Sequence, residues 1–152
     1  MTEQQLVTLS VEGKVDSGRK NEVRVRDFPP IIVDESERLG GTNDGPNPLE
    51  YFLGALSACT SIMASFAAKE QNFTYKDLEY HTEGTLDPRG YQGAEGVQTY
   101  FETVKIDVVV DTNESSEALE CLRVAVEDRC PLFNLLQDAG VNVISHWSKK
   151  EE

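Results

Sequence analysis

The sequence predicts an α+β protein, a single domain over residues 1–152, and three observations carry that reading. Short N-terminal stretches alternate apolar and polar residues with the period of two of a half-buried strand. One stretch of about 23 residues is apolar almost all round, as a buried helix is. Further alternating runs then flank a second helical pattern. A chain of 152 residues buries roughly 70% of the surface its unfolded form exposes, enough for a core without staples.

From Val7 the residues Val7, Leu9 and Val11 alternate with Thr8, Ser10 and Glu12, which predicts a first strand. Asp16 to Asn21 reads as a turn. Val23 and Val25 alternate with Arg24 and Arg26, and Ile31-Ile32-Val33 follow the Pro29-Pro30 break, so the opening third reads as an antiparallel meander. Gly40 to Pro46 is too rich in turn formers for a regular element. It ends in a helix start: Asn47 suits the N-cap, Pro48 the first helical position, and Glu50 the return bond of a capping box.

The helix predicted from Pro48 to about Glu70 carries Leu49, Phe52, Leu53, Leu56, Cys59, Ile62, Met63 and Phe66, which implies burial on most sides. At a rise of 1.5 Å per residue it spans roughly 34 Å, long for one small domain to cover, so a homodimer is expected. Leu78–Leu86 and Gln98–Val110 read as strands joined by a Gly-rich loop. A helix from Ser115 or Ser116 presents Leu119, Leu122 and Val126 on one stripe. Cys130-Pro131 interrupts it, a short helix follows to Ala139 with Gly140 at C′, and Val141–Trp147 closes as a strand before a frayed tail.

Twenty-seven acidic residues against 14 basic ones give a net charge of −13, which repels phosphate backbones and anionic lipid heads and argues against nucleic acid or membrane partners. Neither residues 1–30 nor any later window reads as a long uncharged apolar run. No signal peptide or membrane span is therefore expected, and the protein is placed in the cytoplasm. Three cysteines cannot all pair within one chain, so free thiols and at most a transient disulfide are expected. His81 and His146 have no close His or Cys partner at ligand spacing, so a zinc site is not expected; the Gly40–Gly45 loop lacks the lysine of a phosphate-binding loop, and no nucleophile-elbow pattern supports a hydrolase.

Cys59 and Cys130 are the candidates for chemistry. A reactive thiol must ionise, which needs a cation or a helix N-terminus nearby. If Pro131 opens a helix, Cys130 is its N-cap and its sulfur faces the orphan N–H groups of the next turn. Cys59, in mid-helix, needs an arginine, and Arg19, Arg24, Arg26 and Arg129 are candidates. Free cysteine is also among the most buried residue types, and Cys121, half a turn out of phase with Cys130, best fits a plain core role.

The run from Leu39-Gly40-Gly41-Thr42-Asn43-Asp44-Gly45-Pro46-Asn47-Pro48-Leu49-Glu50 through Ser57-Ala58-Cys59, with Cys130-Pro131 much later, resembles the OsmC/Ohr family of osmotically induced and organic hydroperoxide resistance proteins, and the order of elements fits nearly the whole chain. The resemblance implies an intertwined homodimer with sheets wrapped around long central helices. It also implies a thiol peroxidase without metal or prosthetic group. Cys59 would be the peroxidatic residue and pass through a sulfenic acid. Cys130 would resolve it as an intrachain disulfide, and an external dithiol, a lipoylated protein in family members, would restore both thiols.

In the peroxidase branches an arginine and a glutamate polarise the peroxidatic cysteine, the glutamate ten residues before it. That position is Leu49 here. Glu50 stands one residue nearer, about half a turn out of phase with Cys59 on a straight helix, and a capping role is its other reading. Arg19, after Gly18, lies at about the right distance before Gly40-Gly41 to match the family's arginine. The candidate set is thus Cys59, Cys130, Arg19 and Glu50, acting on organic hydroperoxides, with a non-catalytic ligand-binding or stress-protective dimer and a thiol redox sensor as rival readings.

Overall fold

The computed structural model describes residues 2–152, and the elements they form are of the α+β class. The chain divides after Tyr51 into two units. In the first, β1 (Glu12–Ser17), β2 (Lys20–Arg24) and β3 (Ile31–Val33) form the expected antiparallel meander in the order β1-β2-β3. The first strand is displaced from its predicted place. Residues 7–11 lie outside any regular element, and Leu6, Val7, Leu9 and Val11 are exposed, because among the described residues no strand pairs with them to bury the alternating face. The turn is also tighter than expected: β1 runs on through Ser17, and only Gly18, at φ 57°, and Arg19 link it to β2. Glycine takes that positive φ without steric cost.

The Gly-rich loop is organised by a residue that sequence reasoning passed over. Asp34, 1% exposed, accepts hydrogen bonds from the backbone N–H groups of Glu35 (2.8 Å), Thr42 (3.2 Å) and Asp44 (3.1 Å) and from the Thr42 hydroxyl (2.6 Å). These bonds favour the ionised form, so the Asp34 carboxyl, led by the Thr42 hydroxyl, falls from 3.8 to about 2. Gly41 and Gly45 are required by close approach: a Cβ would stand 2.0 Å from the Glu35 carbonyl oxygen at one and 2.4 Å from that of Ile32 at the other. Tyr51 donates its hydroxyl to the Ile32 carbonyl at 2.8 Å, and Lys20 bonds Asp44 at 2.9 Å.

Helix α1 (Pro48–Gln71) begins with a reciprocal capping box: the Glu50 N–H donates to Asn47 Oδ1 at 2.8 Å, and the Asn47 N–H to Glu50 Oε2 at 3.3 Å. It ends with Asn72 in the left-handed region (φ 54°), and the Phe73 N–H closes back on the Ala68 carbonyl at 2.8 Å. In the second unit α1 buries one face rather than most of its circumference. Leu56, Ser57, Thr60, Ala64, Ala67 and Ala68 are buried, while Ile62 and Phe66 are 52% and 50% exposed. The sequence reading also saw no spanning segment. As a helix, α1 is long and apolar enough to cross a membrane by length and composition, a test that the core helix of a folded domain also passes.

The second sheet has the order β4-β5-β6, with β4 (Asp77–Thr85) antiparallel and β6 (Asn142–Lys149) parallel to the central β5 (Thr103–Asp111). A parallel pair needs a crossover, supplied by α2 (Ser116–Arg129) and α3 (Pro131–Asp138). Ser115 caps α2 through the Ala118 N–H, and Gly140 (φ 83°) ends α3 as expected, with the Val141 N–H on the Leu136 carbonyl. Residues 98–102, expected in a strand, form a loop instead. Its Phe101 ring packs where a Cβ at Gly84 would stand 2.5 Å away, so only glycine on β4 admits it. Val104, Ile106, Val108 and Val110 of β5 form one core with Leu56 and Ala64 of α1, Leu119, Leu122 and Val126 of α2, and Phe133 and Leu136 of α3.

Because the folded-state pKa of Asp34 lies below its unfolded value, its contribution is complete above about pH 4 and is lost as pH falls through about 2. The Thr42 and Asp44 amides should thus stay protected from hydrogen exchange in mild acid and lose protection near pH 2. Asp34→Ala should abolish that protection at neutral pH, and exchange of wild type and variant measured by NMR checks both outcomes.

Candidate functional site: a paired thiol between two helices

Cys59 lies on α1 beside the buried stripe, and Cys130 lies where α2 ends and α3 begins. Cys130 closes α2 by donating its N–H to the Val126 carbonyl at 2.9 Å and opens α3 by accepting the Asn134 N–H at 3.0 Å. The Asn134 side chain ties the junction further, donating to the Cys130 and Glu127 carbonyls at 2.8 Å each. With its backbone fixed on both sides, the Cys130 side chain projects into the core. Its sulfur shares a hydrogen bond with Cys59 Sγ at 3.2 Å, so two residues far apart in sequence stand in contact. Both thiols are free. Cys59 is half-buried and Cys130 is 0% exposed.

The helix N-terminus acts on the other sulfur from the one the sequence suggested. Cys130 is the N-cap of α3, but its side chain makes no capping hydrogen bond because the sulfur is turned toward Cys59. The free N–H of Leu132, next after Pro131, instead bonds the Cys59 sulfur and favours its thiolate. That effect is outweighed. Burial first, then the hydrogen bond and charge of Cys130, push the Cys59 thiol up from 9.0 to about 11. Pro131 marks where free N–H groups begin, but nothing local says that they point at a residue on α1.

The candidate arginines separate by partner. Arg129 bonds Glu70 at 2.6 and 3.2 Å, Arg24 meets Glu22 at 3.5 Å, and Arg26 lies over the Phe28 ring at 4.7 Å. Arg19, at the tip of the β1–β2 turn, makes no ion pair among the described residues, and its Nε lies 3.0 Å from where a Cβ of Gly40 would stand. Glu50 is exposed and engaged in the helix cap. Cys121 departs from expectation. It is exposed on α2, because the stripe of Leu119, Leu122 and Val126 faces the core and Cys121 falls beside it. His81 and His146 lie on β4 and β6 as polar strand positions, with Glu83 3.0 Å and Asp107 3.8 Å away.

A model of the OsmC-like protein family matches residues 41–145, from the Gly-rich loop to β6 and across both cysteines. The chain belongs to the OsmC-like family. Solved structures agree in fold. An OsmC-like protein from Mycoplasma pneumoniae superposes with a TM-score of 0.81 at 18% identity, covering 95% of this chain and 99% of that one. An organic hydroperoxide resistance protein OsmC from Legionella pneumophila gives 0.71 at 21%, covering 97% and 100%. An organic hydroperoxide resistance protein from Elizabethkingia anophelis gives 0.69 at 18%, covering 99% and 100%. Among curated proteins none matches the sequence. For this OsmC-like chain, the cysteines named from sequence are in contact, and the family's glycine-rich run builds the Asp34 loop and the start of α1.

Removing Cys130 removes two of the influences that raise the Cys59 pKa and leaves burial. In a Cys121→Ser background, Cys130→Ala should therefore move the midpoint of Cys59 alkylation by iodoacetamide to lower pH, with faster labelling at pH 8. Rates followed from pH 6 to 11 check this, and an unchanged profile contradicts the coupling.

Proposed function

We propose that this protein is a thiol peroxidase that reduces organic hydroperoxides in oxidative stress defence. The observation that carries the reading is the 3.2 Å contact between Cys59 Sγ and Cys130 Sγ. The Cys59 thiolate attacks the distal peroxide oxygen, the O–O bond breaks, and the alkoxide takes a proton and leaves as an alcohol. Cys59 is left as a sulfenic acid. Cys130 then attacks that sulfur, water leaves, and a Cys59–Cys130 disulfide forms. Its sulfurs need only close from 3.2 Å to about 2.05 Å. An external dithiol, such as a lipoylated protein, restores the thiols, and neither metal nor prosthetic group takes part. The names of the Legionella and Elizabethkingia structures, organic hydroperoxide resistance proteins, support the substrate class.

The raised Cys59 pKa is the observation that favours the rival, a dimer whose thiols stay reduced. Peroxidase chemistry requires a cation to offset it. We assign that role to Arg19, which among the described residues has neither an acidic partner, as Arg24 and Arg129 have, nor a ring contact, as Arg26 has, with Glu50 as the carboxylate that orients it while capping α1. The working unit is a homodimer: the exposed apolar side chains Ile62 and Phe66 on α1, and Leu6, Val7 and Leu9 ahead of β1, suit burial by a second copy.

One equivalent of cumene hydroperoxide per subunit should remove two titratable thiols and link the peptides holding Cys59 and Cys130; no thiol loss favours the rival. Arg19→Ala should slow this oxidation about tenfold for each unit by which the Cys59 pKa rises. Glu50→Gln keeps the capping hydrogen bonds and removes the charge. Stopped-flow oxidation should slow at an unchanged Tm, and an unchanged rate would leave Glu50 as a cap alone. Ile62→Glu should convert the dimer to a monomer, read by light scattering.

A further inference from the structure

The two sulfurs of the pair differ in access. Cys130 is 0% exposed within the single chain, enclosed by α1 and its own helix junction, whereas Cys59 keeps part of its surface open. Further association leaves Cys130 sealed. Thiol–disulfide exchange requires the incoming thiolate to reach one sulfur in line with the S–S bond and displace the other. We infer that the external dithiol attacks Cys59, so that the mixed disulfide of the reductive half-reaction forms on α1 while Cys130 is the leaving group. The inference rests on the disulfide of the proposed function and adds to it the sulfur through which the reductant works.

One thiolate of the dithiol bonds to Cys59 Sγ, the Cys59–Cys130 bond breaks, and its electron pair passes to Cys130 Sγ, which takes the proton of the dithiol's remaining thiol. The second thiolate so formed attacks the reductant's own sulfur in the mixed disulfide. Cys59 leaves as a thiolate, beside the Leu132 N–H that bonds its sulfur. The protein disulfide is reduced to the Cys130 thiol and the Cys59 thiolate, the dithiol monoanion having supplied the one proton, and the dithiol is oxidised to a cyclic disulfide. With Cys130 3.2 Å away, a monothiol adduct on Cys59 faces immediate return attack by Cys130.

The test makes the disulfide without peroxide. Full-length Cys121→Ser protein, oxidised with diamide, is treated with excess glutathione, quenched with acid, capped with N-ethylmaleimide and mapped by mass spectrometry. The expected result is glutathione on the Cys59 peptide and maleimide on Cys130, at least tenfold over the opposite pattern. Glutathione chiefly on Cys130, or equally on both, overturns the inference and leaves the peroxidase reading standing. Failure of diamide to link the two cysteines overturns both. A second measurement covers an adduct too short-lived to trap. In single-cysteine proteins, Ellman's reagent should label Cys59 (Cys130→Ser in the Cys121→Ser background) at least tenfold faster than Cys130 (Cys59→Ser in that background), and equal or reversed rates overturn the inference.

Discussion

The double duty of Cys130 is the constraint on which the site depends. One residue closes α2 through its N–H and opens α3 through its carbonyl, and Pro131, which has no N–H to lose and a preset φ, makes that junction sharp. Neither helix can shift without the other at this point, so the Cys130 side chain has little freedom. Its sulfur is held against Cys59 by backbone hydrogen bonds rather than by a flexible loop. Closing to bonding distance from 3.2 Å requires movement of about 1.2 Å, which side-chain rotation and small helix adjustments supply without local unfolding.

The same closeness that favours a disulfide opposes ionisation. Burial and a neighbouring sulfur both disfavour a thiolate at Cys59, and the single N–H of Leu132 does not offset them. The pair by itself is well placed for the second step of a peroxide reduction and poorly charged for the first. A cation is what separates a reactive pair from a packed one, and Arg19 is the residue proposed for that part. The other arginines of the opening meander and of the α2 terminus are engaged with Glu22, the Phe28 ring and Glu70.

The glycine-rich run is also given a physical meaning. It forms no phosphate cradle. Its donors turn inward onto one buried carboxylate, Asp34, and its glycines stand where a Cβ would strike the carbonyls of Glu35 and Ile32. The loop then delivers Asn47, Pro48 and Glu50 in register for the cap of α1. The sequence pattern that marks the family is thus largely a device for building a tight loop and starting a helix, with Arg19 laid against Gly40 at its edge.

Elements whose signals are local were legible from the chain alone. The capping box at Asn47–Glu50, the helix start at Ser115 or Ser116, the Cys130-Pro131 break and the Gly140 stop depend on hydrogen bonds within a few residues, and they stand where they were read. Where a signal depends on a neighbour, the sequence was insufficient. Alternation at Val7–Val11 signals a strand only if another strand is present to pair with it, and an apolar helix is buried only as far as something covers it. Asp34 looked like an ordinary polar residue because its donors come from a loop eight to ten residues later. The identities of both cysteines were fixed by residue type and motif. Their contact, the turning of the Leu132 N–H onto Cys59 and the sealing of Cys130 came only from packing α1 against the α2–α3 junction, since separation along a chain places no limit on separation in space once a core has formed.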